Sequence, residues 1–165
     1  MKTIKFIAAS ALWISASTSF GHEGATHTAS SAPVVKEQKT WGIAGDAKAV
    51  GRTITIRMTD NMRFTPSHIE VREGETVRLR AENKGQVLHE IVLGTQADLD
   101  AHAAMMAKHP GMEHDEPHMA HVGAGKKGDI VWTFNRPGQF DFACLIAGHY
   151  QAGMTGTITV LPRKH

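Results

Sequence analysis

From Gly51 onward, apolar and polar residues alternate along the chain. Ile54, Ile56 and Met58 are interleaved with Thr53, Thr55 and Arg57, the period of a strand with one buried face. Ile69 and Val71 carry the alternation past Pro66, and Glu73-Gly74 marks a turn. Val77, Leu79 and Ala81 then alternate with Arg78, Arg80 and Glu82. After a turn at Asn83-Lys84-Gly85, the run from Val87 to Leu93 is apolar apart from His89 and Glu90, and stops at Gly94. Strands resume at Asp129–Phe134, turn at Arg136-Pro137-Gly138, and continue through Phe140, Phe142 and Cys144. The last strand is predicted over Gly156–Leu161. Seven or so short strands separated by turn residues predict an all-β chain, an antiparallel sandwich or barrel.

One stretch interrupts this pattern, at residues 95–127. Asp98 to Lys108 combines Ala, Leu and Met as a short helix would, with Pro110-Gly111 to end it, and the remainder reads as a long surface loop. Ahead of the strands, residues 1–21 carry Lys2 and Lys5, a short apolar run from Phe6 to Ala16, and small polar residues. These are the features of a secretory signal peptide. The apolar run is shorter than the roughly 18 residues a membrane span needs. Cleavage is expected after Ser19 or after Gly21. Residues 22–49, rich in Ala, Ser, Thr and Gly, read as a flexible leader, and residues 50–165 as one domain.

Composition narrows the function. The 165 residues are 41% hydrophobic, enough for one domain with a sizeable core. Lys and Arg number 18 against 16 Asp and Glu, and loss of Lys2 and Lys5 with the signal leaves 16 against 16. No broad basic field results, so nucleic acid is not an expected partner, and no membrane span is expected after signal cleavage. The chain holds 11 His and 8 Met but a single Cys. One cysteine closes no intrachain disulfide and excludes a zinc site built from several thiolates.

That cysteine opens the decisive motif, Cys144-Leu-Ile-Ala-Gly-His149-Tyr-Gln-Ala-Gly-Met154, lying between two predicted strands. Such a loop can fold back so that thiolate, imidazole and thioether converge, with Gly148 and Gly153 permitting the tight path. Two imidazoles, a thiolate and a weak axial thioether are what a type 1 copper site requires. His89, within an apolar strand, supplies the second imidazole. Each residue alone has a plainer reading: a buried small hydrophobe, a satisfied core histidine, ordinary Met packing. Together they resist it, because independent placement would put His at +5 and Met at +10 from the Cys in roughly 0.3% of arrangements.

Cys144, His149 and Met154 in this order, with His89 upstream, resemble the cupredoxins over residues 50–162 or so. Asn61-Met62-Arg63-Phe64-Thr65-Pro66, Leu88-His89-Glu90-Ile91-Val92-Leu93-Gly94 and Phe142-Ala143-Cys144-Leu145-Ile146-Ala147-Gly148-His149-Tyr150 look like the CopI-type periplasmic copper-tolerance branch. Ala147 departs from it, standing where a proline is common. The resemblance implies a Greek-key β-sandwich holding one copper near one end. His89, Cys144 and His149 would be its equatorial ligands, Met154 its axial ligand, and the edge of His149 the exit for electrons.

Between His102 and His121, nine of twenty residues are possible metal ligands: His102, Met105, Met106, His109, Met112, His114, His118, Met119 and His121. His102, Met105, Met106 and His109 would share one face of a helix. Extra copper ions held here would suit a protein that captures or buffers copper, while Met105 and Met106 could equally pack on the sandwich. His22, if freed by cleavage, and nearby His27 offer further donors. The expected function is periplasmic copper tolerance by binding, buffering, oxidising or transferring copper, with a periplasmic redox or copper-export protein as partner. The alternative is a diffusible one-electron carrier. A lone type 1 site has no open position for substrate, so an enzyme is not expected.

Overall fold

The computed structural model describes residues 36–109 and 114–164. The expected signal peptide, most of the leader with His22 and His27, and Met112 lie outside these residues. The described chain forms ten strands in two five-stranded sheets. The first sheet holds β1 (Ile43–Ala44), β2 (Arg52–Thr59), β3 (Arg63–Thr65), β5 (Glu75–Asn83) and β8 (Lys127–Phe134), in the order β1-β8-β5-β2-β3. The second holds β4 (His68–Arg72), β6 (His89–Gly94), β7 (Met119–Val122), β9 (Gly138–Ala143) and β10 (Thr155–Leu161), in the order β4-β10-β9-β6-β7. The all-β sandwich read from the alternation is what the chain adopts. Pairing is antiparallel except where β2 lies parallel to β5 and β4 parallel to β10. These are the neighbours a chain acquires when it crosses between sheets, which local periodicity does not encode.

The inner faces meet in one core that includes Ile56, Leu79, Ile130, Trp132, Phe134 and Phe142, each at most 1% exposed. Two expectations need correction. The fold begins before residue 50, because β1 pairs with β8, Trp41 and Ala44 are buried, and Trp132 donates its indole N–H to Trp41 O at 3.0 Å. Residues 36–49 of the expected leader thus belong to the folded domain or lead directly into it; their small and polar composition hid the anchoring Trp41.

Within 95–127 the expected short helix forms, and part of the remainder read as a loop is a strand. Helix α1 (Gln96–Lys108) starts at a capping box in which Thr95 and Asp98 satisfy each other's backbone N–H groups. Met119–Val122 then forms β7, antiparallel to β6, with Met119 and Val122 buried.

Every residue of β6 is buried, because the sheet carries the core on one face and α1 on the other. Ile91 and Leu93 enter the main core, whereas Val92 joins Leu99 and Ala103 of α1, Met119, Ala143 and Leu145 in a smaller cluster. The continuous apolar run in the sequence is the signature of this double coverage. Trp41→Ala should lower stability by about 3 kcal/mol, the scale of a large aromatic truncation, read as a lower urea midpoint with unchanged slope. An unchanged midpoint would show that residues before 50 contribute nothing to the fold.

Candidate metal centre

Cys144 follows β9 directly and Met154 precedes β10, so the segment between them is the connection of two paired strands. Its ends are closed by Cys144 N–H donating to Met154 O at 3.0 Å. Within it, His149 N–H donates to Ile146 O at 2.9 Å and Met154 N–H to His149 O at 3.1 Å. Gly148 and Gly153 take φ of 88° and 85°, backbone that side-chain-bearing residues rarely adopt. Arg63 reaches across from β3 to donate to Ala152 O at 2.9 Å. Tyr150 ties the loop to α1, donating to Asp100 and accepting from Gln96, both at 2.6 Å.

Inside this closure one ligand atom from each of His89, Cys144 and His149 lies within 4.8 Å of the other two. Cys144 Sγ is 3.3 Å from His149 Nδ1 and accepts the Glu90 N–H at 3.4 Å. The two imidazole rings stand 5.0 Å apart. His89 is fully buried, and its Nδ1 has no hydrogen-bond partner although the site is rich in polar atoms. A buried donor or acceptor without a partner is costly, and a metal ion would satisfy it. Met154 is 0% exposed at the end of the same loop. Two nitrogens and a thiol sulfur, on a loop that ends in a buried methionine, fit copper. Burial pushes the Cys144 thiol up to about 12 and lowers the His149 imidazole, so the copper-free folded site keeps a protonated thiol at neutral pH.

Two residues that the motif did not reveal position this set. Asp60, in the turn between β2 and β3, lies 3.1 Å from His89 Nε2 and accepts the Gln86 N–H at 2.7 Å. Backbone donation from Gln86 foremost, with His89 adding to it, holds its carboxyl below the usual range. The turn is tight enough that a Cβ on Gly85 would fall 1.8 Å from Asp60 Oδ1. Glu90 is 1% exposed and accepts the Leu145 N–H at 2.7 Å, fixing the residue after Cys144. Nothing in the sequence links Asp60 to His89 across 29 positions. Glu90 was visible as an acid in an apolar run.

The histidine- and methionine-rich stretch divides by surroundings. Met106 and Met119 are buried as packing residues, while Met105 is 39% exposed and His109 exposed at the end of α1. The expected shared face of His102, Met105, Met106 and His109 is therefore split, since α1 turns Leu99, Ala103 and Met106 inward. His118 stands edge-on to Trp41 and Trp132, with ring centroids at 5.7 and 6.1 Å. His102 and His114 face each other with centroids 4.9 Å apart, and His121 Nε2 lies 2.8 Å from Glu90 Oε2.

A two-sheet Greek-key sandwich with a Cys/His/His cluster at the end of neighbouring strands defines the cupredoxin class. The family model described as copper binding proteins of the plastocyanin/azurin family matches residues 50–161. The chain is 51% identical over 120 residues to the copper-resistant cuproprotein CopI of Rubrivivax gelatinosus, covering 73% of each. It is 35% identical over 153 residues to the protein of the same name in Pseudomonas aeruginosa, covering 75% of this chain and 84% of that one. The solved structure of auracyanin B matches with a TM-score of 0.61 at 25% identity, covering 73% of this chain and 95% of the other. The chain belongs to the plastocyanin/azurin family of copper-binding proteins, within its CopI-type cupredoxins, and copper is its cofactor.

Two outcomes follow from the geometry. The copper-free folded protein should resist alkylation of Cys144 by iodoacetamide at pH 8, because the thiolate is the reactive form and the folded thiol is held at about 12; denaturant should restore labelling, and fast labelling of the native state would contradict the burial. Asp60→Ala should weaken copper binding by about 10- to 100-fold, as loss of an outer partner of a histidine ligand does. A competition titration measures this, and unchanged affinity would remove Asp60 from the site.

Proposed function

We propose that this chain is an exported, periplasmic copper-tolerance protein that holds one type 1 copper through His89, Cys144, His149 and Met154. The observation that carries the ligand assignment is the convergence of one sulfur and two ring nitrogens within 4.8 Å, with the buried His89 Nδ1 unpartnered. The tolerance role is supported by the two similar proteins named copper-resistant, at 51% and 35% identity. Export is supported by the features of residues 1–21. No helix among the described residues is long and apolar enough to cross a membrane.

Copper bound here supplies a one-electron couple. The chain's own residues do the rest: the closed loop holds the donors in place before metal arrives, and the buried surroundings keep water from them. Cys144 gives up its proton on loading, since the thiolate is the ligand form. His149, half-buried beside exposed Ala147 and Gly148, is where the site meets the surface, which favours electron exchange with a partner protein as the second reading. Both readings assign binding and electron transfer to the chain and no turnover of a bound substrate.

Copper titration of the mature protein, with Cys144→Ser alongside, tests the assignment. The expected result is an intense thiolate-to-copper absorption at one copper per chain that the variant lacks. A colourless parent would overturn the type 1 site. In cells, deletion should impair growth on copper while leaving respiration intact; the opposite pattern would favour the carrier.

A further inference from the structure

Among the described residues, three buried histidine ring nitrogens lack a hydrogen-bond partner. One is His89 Nδ1, already placed in the type 1 site. The others are His102 Nε2 and His114 Nδ1, near the Glu90 carboxyl that His121 Nε2 approaches at 2.8 Å. The strand register explains why these are neighbours. Glu90 is paired directly with His121 across β6 and β7, and Val92 with Met119. Val92 and Met119 pack against α1, so by the two-residue alternation of strands Glu90 and His121 lie on the same, helix-covered face. His102 comes down onto this face from α1, and His114 faces it with a ring-centroid distance of 4.9 Å and an interplanar angle of 42°. The electrostatic neighbours of His102 are His114, Glu90, Glu116 and His121, and burial keeps its imidazole below the usual range, in the neutral form that binds metals.

Two facing imidazoles gain nothing from ring packing that would offset two orphaned nitrogens. Neither is at the free surface: both nitrogens are shielded from water, while carboxyl groups stand close by. His121 is set against Glu90 Oε2 at 2.8 Å with its other nitrogen 3.9 Å from Asp115 Oδ1, which adds negative charge beside the two histidines.

We propose that His102 Nε2 and His114 Nδ1 are ligands of a second metal site, separate from the type 1 centre, with His121 and Glu90 completing its surroundings. Imidazole and carboxyl donors without sulfur suit divalent copper, the tightest-binding of the common divalent ions at such a site. This deepens the tolerance reading by giving the chain a place to hold Cu(II) that does not use Cys144, and it rests on that reading only for the choice of copper.

The test starts from protein already carrying one coloured copper. A second equivalent of Cu(II) should bind without added thiolate absorption and give an electron paramagnetic resonance signal with nitrogen coupling and the wide copper splitting of a site lacking sulfur. His102→Ala with His114→Ala should lose that equivalent, weakening it at least 30-fold, while the thiolate band stays intact. His109→Ala, exposed at the helix end, should bind as the parent does. A double variant that still binds the second copper with the parent's affinity and spectrum would overturn the site, as would a parent that saturates at one. Because the Cys144→Ser variant lacks the type 1 ligand but retains both histidines, it should still bind the second ion. Failure of the type 1 assignment is thereby kept distinct from failure of this one.

Discussion

The double burial of β6 is the constraint on which the rest of the molecule depends. A strand covered on both faces sends consecutive side chains into different layers. His89 and Glu90 are adjacent in sequence, yet His89 meets Cys144 and His149 while Glu90 meets His121 beneath α1. Their shared backbone still joins the two sides: the Glu90 N–H reaches Cys144 Sγ, and the Glu90 carboxyl accepts from Leu145. Any change that tilted β6 would disturb both layers together. An apolar residue at 90 would satisfy the burial but would leave the Leu145 N–H without its acceptor, at about 1–3 kcal/mol for a buried donor.

The inserted helix is part of the ligand scaffold for the same reason. It covers the outer face of β6 through Leu99 and Ala103, and it holds the Cys144–Met154 connection through the contacts of Gln96 and Asp100 with Tyr150. On the other side, Arg63 grips Ala152. The loop is thus anchored at both strand ends and from two flanks, so the donors keep their places with little help from the metal. The backbone of the connection is closed by its own hydrogen bonds, Cys144 N–H to Met154 O and Met154 N–H to His149 O.

How much of this was legible in the sequence depends on the range of the signal. Strands with one buried face announced themselves by alternation, as Ile54–Met58 and Val77–Ala81 show. The Cys144/His149/Met154 spacing was local and chemically specific, so it could be read directly. β1 was too short and Trp41 too isolated among small residues to register. β7 was concealed because Met119-Ala-His-Val122 has buried residues only at its ends, which breaks the two-residue pattern. Asp60 reaches His89 through a long-range crossing, and no periodicity carries such information. In the histidine-rich stretch, composition gave ligand types but not neighbours. Burial in the folded chain, which composition does not carry, is what marks Met106 and Met119 as packing residues and leaves Met105 and His109 exposed.

The two layers differ in the kind of donor they present, and this has a chemical consequence. On the core side, a thiol and two imidazoles converge, with buried Met154 at the end of the same loop and His149 at the rim, a sulfur-containing set that suits Cu(I) without excluding Cu(II). A divalent ion there with one thiolate leaves a single positive charge, and the Asp60 carboxyl beside His89 opposes it from the protein's edge. Under α1 the donors are imidazole and carboxyl alone, with no sulfur to reward the reduced ion. A strand one residue wide therefore separates a soft environment from a harder one. The adjacent residues His89 and Glu90 divide these donors between the two faces of β6, imidazole beside thiol on one and carboxyl beside imidazole on the other.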